Sequence, residues 1–78
     1  MEDLRSLRKR RGLSLEALGY LAGVDQATIS RIERGLAEPR RDTVVQLARA
    51  LRIGAKRMAE IMAASREYDE WAAKENVS

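Results

Sequence analysis

Only three residues, Gly23-Val24-Asp25, separate two segments of helical pattern, SLEALGYLA and QATISRIER. A connection this short forces the two helices to meet at a steep angle. The residues around it suit that task. Gly23 takes the positive φ such a turn needs, Gly19 lets the helices approach closely, and Val24 plugs the corner. Ser14 and Asp25, each just ahead of a helix, supply side-chain caps. The rest of the chain has to fold around this pair.

The flanking segments are helical too. Leu4, Leu7 and either Arg8 or Arg11 mark one face of a first helix at about 2–10, with Glu2 and Asp3 at its positive end. Gly12 ends it. The second helix presents Ala17, Leu18 and Leu21 or Ala22, and the third runs from its cap Asp25 to Arg34, stopping at Gly35. Pro39 breaks the loop LAEPRR. A fourth helix at about 41–51 carries Val44, Val45, Leu47, Ala48 and Leu51 at helical spacing. After Gly54 a fifth begins near Ala55 with Met58, Ile61 and Met62. With 78 residues, no Phe and one proline, one small aliphatic core is expected. The predicted fold class is all-α, a compact five-helix bundle with the turn pair at its centre.

Charge is unevenly distributed. Residues 1–57 hold 13 Lys and Arg against seven acids, a balance of +6, whereas residues 58–78 hold two basic and five acidic residues. A basic body with an acidic tail points to a polyanion as the body's partner. There is no Cys and no His, so disulfides, thiol chemistry and the usual zinc sites are excluded, and no metal or cofactor is expected. The remaining carboxylates are scattered, which argues against an enzyme. No stretch reads as a membrane span or a signal peptide, so the expected location is cytoplasmic, with no membrane partner.

The third helix then becomes the centre of interest. Ile29 and Ile32, three apart, put one stripe against the core. Gln26, Ala27, Ser30, Arg31 and Arg34 are left facing outward or along the flanks. Amide, hydroxyl, methyl and guanidinium groups, with no acid in the middle of that face, suit the edges of bases in a major groove. Gln pairs bidentately with adenine, Arg with guanine, and a methyl meets the thymine methyl. Helix N-terminal amides and nearby basic side chains suit phosphates. RNA is the weaker reading, because neither an aromatic stacking platform nor a Gly-rich clamp is present.

The stretch GLSLEALGYLAGVDQATISRIERGLAEPRRDTVVQLARAL resembles the Cro/repressor-like helix-turn-helix family, which includes lambdoid phage repressors and restriction–modification controller proteins. The match runs through LRxxRxxxGLS, a small residue at 19, Gly23, TISRIERG, a Pro-containing loop and LARAL, over about residues 4–62. The resemblance implies a lambda-repressor-like five-helix domain that binds double-stranded DNA as a homodimer on a two-fold operator. It assigns Gln26, Ala27, Ser30 and Arg31 to the bases. It gives backbone roles to Thr28 and Arg34, with Arg10 or Arg11; Ser14 at the start of the second helix and the loop residues Arg40 and Arg41 are read as further backbone contacts from their own chemistry. It pairs Arg8 with Glu33 between the first and third helices, and an acid at 33 needs such a partner near phosphates.

Three positions depart from the family pattern. Leu15 stands where Gln is common, Arg40 where Ser caps the fourth helix, and Arg52 where Gly often closes it. The domain is expected to span 1–63, with an acidic extension at 64–78 that is helical at its start. Tyr68 and Trp71 there need a surface to cover, either the same core or a second subunit. The expected dimer contact is Met58, Ile61, Met62, Tyr68 and Trp71. An alternative function is a protein-interaction module, such as an antitoxin, whose tail grips a partner protein.

Overall fold

A computed structural model describes the backbone of residues 2–76 and the side chains of residues 2–65. Five α-helices follow in order: α1 Leu4–Arg10, α2 Leu15–Ala22, α3 Gln26–Glu33, α4 Arg41–Leu51 and α5 Ala55–Asn76. The all-α five-helix bundle is therefore as expected. Local chemistry explains the boundaries. The Asp3 carboxylate accepts from the Ser6 amide at 2.8 Å, and Ser14 Oγ accepts from the Ala17 amide at 3.0 Å. At the other end of α2, Gly23 has φ 68°.

The core is aliphatic. Leu4 and Leu7 of α1, Leu18 of α2, Ile29 of α3 and Leu47 and Leu51 of α4 are fully buried. Met58 and Ile61 of α5 are fully buried as well, and Met62 is 7% exposed. The reading of these three side chains as a subunit surface is narrowed: Met58 and Ile61 have no exposed surface of their own, and Met62 keeps only an edge. They close the chain's own core, because α5 packs against α1, α3 and α4 together. Tyr68 and Trp71 lie outside the described side chains.

The packing of α5 continues past residue 63. Ala64 and Ser65 are buried, and Ser65 Oγ accepts from the Leu4 amide at 3.2 Å while donating to the Ile61 carbonyl at 3.1 Å. The amide at the start of α1 is thus capped from 61 residues away. Glu2 adds a second tie, accepting from Arg57 of α5 at 2.7 Å and from Arg10 of α1 at 2.8 Å. The Arg10 hydrogen bond, then the charges of Arg10 and Arg57, hold its carboxyl below the ordinary carboxylate range.

The two departures in α4 have visible consequences. Arg40 occupies the N-cap position and makes no side-chain cap. Arg52 closes the helix in the left-handed conformation, φ 57°, the only non-glycine described residue at positive φ. Asp42, in the first turn, gives the helix N-terminus the favourable sign that Arg40 and Arg41 lack.

Candidate nucleic-acid interface

The α2–α3 corner is tighter than its sequence alone conveys. A Cβ on Gly19 would lie 2.8 Å from the carbonyl oxygen of Val24, so the turn backbone rests directly on α2. The Val24 amide donates to the Gly19 carbonyl at 3.0 Å, closing the turn against the same residue. Asp25 then starts α3, its carboxylate accepting from the amides of Ala27 at 3.1 Å and Thr28 at 3.3 Å. The N-terminal amides of α3 were expected to offer themselves to a phosphate. Asp25 already occupies these two.

With Ile29 and Ile32 turned inward, α3 exposes Gln26, Ala27, Arg31 and Arg34, and half-exposes Thr28 and Ser30. Positions 27, 30, 31 and 34 repeat at helical spacing, so these groups share one face. No acid interrupts it. The one acid of α3, Glu33, is 6% exposed and held by Arg8, with Nε to Oε2 at 2.7 Å and Nη2 to Oε1 at 3.2 Å. Arg8 also donates from Nη1 to the Leu13 carbonyl at 2.8 Å. One guanidinium therefore fixes α1, the approach to α2 and the end of α3 relative to one another.

The basic residues around this face differ in availability. Arg40 and Arg41 are exposed at the start of α4, and Ser14 is exposed at the start of α2. Arg34 reaches back from Nε to the Ser30 carbonyl at 3.4 Å, a weak tether that leaves its outer nitrogens open. Arg10 and Arg11, by contrast, have intramolecular partners. Arg10 is bidentate to Glu2 at 2.8 and 3.0 Å, and Arg11 donates from Nε to the Leu51 carbonyl at 3.1 Å. Glu2 offsets the charge of Arg10, which weakens its case as a phosphate contact.

Arg5, which the sequence reading gives no role, borders the same face. Arg5 is exposed and lines a depression of about 250 Å³ with Leu15, Ser30 and Arg34, beside the α3 face. It stands inside the LRxxR pattern, where the resemblance gives a role to Arg8 alone. Leu15 is half-buried and packs on the core, so the α2 N-terminus meets this depression with an apolar group. Among the described residues no group of acids is placed to hold a metal ion, and no helix is long and apolar enough to cross a membrane.

A family model described as "Helix-turn-helix domain" matches residues 2–61. The chain belongs to that family. The helix-turn-helix domain is also similar to the HTH-type transcriptional repressor RghR of Bacillus subtilis, 45% identical over 53 residues, covering 67% of this chain and 39% of that protein. An uncharacterized HTH-type transcriptional regulator of Mycobacterium tuberculosis is 38% identical over 53 residues, covering 68% of this chain and 38% of its own length. The chain thus spans under two fifths of the length of the curated relatives it matches. No solved structure matches it.

Proposed function

We propose that this helix-turn-helix domain is a cytoplasmic, sequence-specific, double-stranded DNA-binding transcriptional regulator of Cro/repressor-like type. In this reading it is a repressor or autoregulator that acts as a homodimer on a two-fold operator. The observation that carries the reading is the acid-free α3 face, with its one acid withdrawn into the pair with Arg8. α3 lies in the major groove, where Gln26, Ala27, Ser30 and Arg31 meet base edges. Ser14, Thr28, Arg34, Arg40 and Arg41 contact the backbone, joined by Arg5 and, to a lesser degree, Arg10 and Arg11. The description of RghR as a repressor supports the direction of regulation.

The reading is tested by selecting bound duplexes from a random pool and comparing the wild type with Arg31→Ala. On the selected site the substitution is expected to weaken binding by about 1–3 kcal/mol, and on random DNA by much less. Equal weakening on both would make Arg31 a phosphate contact. A pool that enriches no sequence would overturn the proposal itself.

A further inference from the structure

Between α4 and α5 runs an apolar groove that the DNA-binding reading leaves unused. One part, about 280 Å³, is lined by Val45, Ala48, Ile53 and Ala55. The other, about 230 Å³, is lined by Ala37, Pro39 and Met62. Val44 and Ala59 line both, so the two are continuous. Along α5 the groove extends from Ala55 to Ser65, a rise of about 15 Å. Val45, 44% exposed, and the exposed Ala59 leave this apolar surface open to water.

The rim is basic at one end. Arg49, Arg52 and Lys56 are exposed, and none has an ion-pair partner among the described residues. The one acid lining the groove, Glu38, lies at the opposite end. A fitting occupant is an amphipathic helix of about ten residues, apolar along one stripe and acidic beside it. Residues 66–76 of this chain have that character. They hold Tyr68, Trp71 and Ala72 at spacings of three and four, with the four acids Glu67, Asp69, Glu70 and Glu75 against the two bases Arg66 and Lys74.

A chain's own segment has no route into its own groove. The segment continues the same helix, α5, that forms one wall, and its eleven residues advance about 16 Å further along that axis. We infer that residues 66–76 of one copy dock in the α4–α5 groove of a second copy, and reciprocally. This rests on the homodimer of the preceding reading and names its contact. Four aromatic side chains burying about 150–250 Å² each give about 600–1,000 Å². The groove surfaces they cover on both copies bring the total toward the lower end of the about 1,200–2,000 Å² range of specific interfaces.

Two kinds of variant of the full chain test the exchange. Ala59→Glu puts a carboxylate where the free chain solvates it and the docked segment does not. Sedimentation equilibrium is expected to show the dimer dissociation constant raised by about 100-fold or more, with the far-UV circular dichroism of the wild type. Because the chain has no cysteine, Ala59→Cys/Ala72→Cys reports geometry directly. The two positions are about 20 Å apart on one helix, beyond the Cα separation of about 7 Å that a disulfide spans, so any bridge between them joins two copies. A reducible dimer is expected from the double variant and not from either single one. The inference is overturned by a wild type that is monomeric at tens of micromolar, or by an Ala59→Glu protein that dimerises as the wild type does. Absence of the cross-link, or an equally efficient one from Ala59→Cys alone, overturns it too. Half-site binding by fluorescence anisotropy is read separately. A cross-linked dimer that binds no selected DNA upholds the exchange and sinks the DNA reading.

Discussion

The Arg8–Glu33 pair offers the sharpest test of how this fold holds its recognition helix. Both side chains are nearly buried, 9% and 5% exposed, and two charge-assisted hydrogen bonds join them. Glu33→Ala removes both and leaves a guanidinium facing the interior. Hydrogen bonds to charged groups contribute about 1.5–3 kcal/mol each, and breaking a buried pair costs about 3–5 kcal/mol. Arg8 keeps its bond to the Leu13 carbonyl and a little solvent, which favours the lower end, about 3 kcal/mol. A domain of 78 residues has about 4–12 kcal/mol in all, so that loss is a quarter or more of its stability. At about 4–8 °C per kcal/mol, the melting temperature should fall by about 12 °C or more. Thermal and urea unfolding followed by far-UV circular dichroism measure it. The Arg8→Met/Glu33→Leu variant separates the pair from its orphaned charge. It should recover much of the loss, since apolar replacement of a buried pair is often close to neutral. A Glu33→Ala protein that melts within about 2 °C of the wild type and binds DNA more tightly refutes the reasoning, because Glu33 would then be a surface acid near phosphate.

Gly19→Ala gains about 1 kcal/mol of helix propensity but sets a Cβ 2.8 Å from the Val24 carbonyl, so net destabilisation is expected in the same unfolding assay. Arg52→Gly should stabilise by about 1 kcal/mol, relieving a left-handed residue; an unchanged urea midpoint would show that the strain is offset elsewhere. Arg40→Ala/Arg41→Ala should flatten the slope of log K against log salt by roughly one unit per lost phosphate contact, and an unchanged slope removes the loop from the interface. Glu2, whose carboxyl is held low chiefly by the Arg10 hydrogen bond, stabilises the fold above the unfolded carboxylate pKa, a contribution lost as pH falls through the folded one. Glu2→Gln should therefore lower the melting temperature near neutral pH and reduce its acid dependence, and a variant with the wild-type pH profile would contradict this.

Most of the fold was legible because its signals are local. Gly23 and Gly35 after helices, Ser14 and Asp25 before them, and Ile29 and Ile32 three apart act within one or two turns. The Gly19 contact was legible because only a missing side chain lets so short a turn fold back on α2. What the sequence concealed is non-local. Ser65 caps α1 from 61 residues away, and Glu2 reaches Arg57 across 55. Neither pairing has a spacing that periodicity detects. The α5 stripe was ambiguous for a related reason. Met58, Ile61 and Met62 form a stripe whether the helix packs on its own chain or on another, and only the placement of α1, α3 and α4 decides it.

Leu15 at the start of α2 bears on how specificity is reached. A glutamine there would offer a polar group at the start of α2, next to Ser30 and Arg34; Leu15 instead packs half-buried over the core beside the depression that Arg5 also lines. The apolar group packs on the core and has no hydrogen bond to offer a base or phosphate. In the proposed seating, discrimination within a half-site then falls on α3 alone, through at most the four positions 26, 27, 30 and 31. Each good bidentate contact discriminates by about 1–3 kcal/mol, and only Gln26 and Arg31 are capable of one. Two such contacts give about 2–6 kcal/mol, against roughly 4–10 kcal/mol by which specific binding usually exceeds non-specific binding. Reading two half-sites doubles the lower figure. On the proposed reading, a regulator with Leu15 depends on dimerisation for specificity more than one with Gln there, and Leu15→Gln should raise the affinity of a single domain for a half-site without altering the proposed dimer. If Leu15→Gln leaves half-site affinity unchanged, α2 stands too far from the duplex for position 15 to matter, and the proposed seating of α3 is too deep.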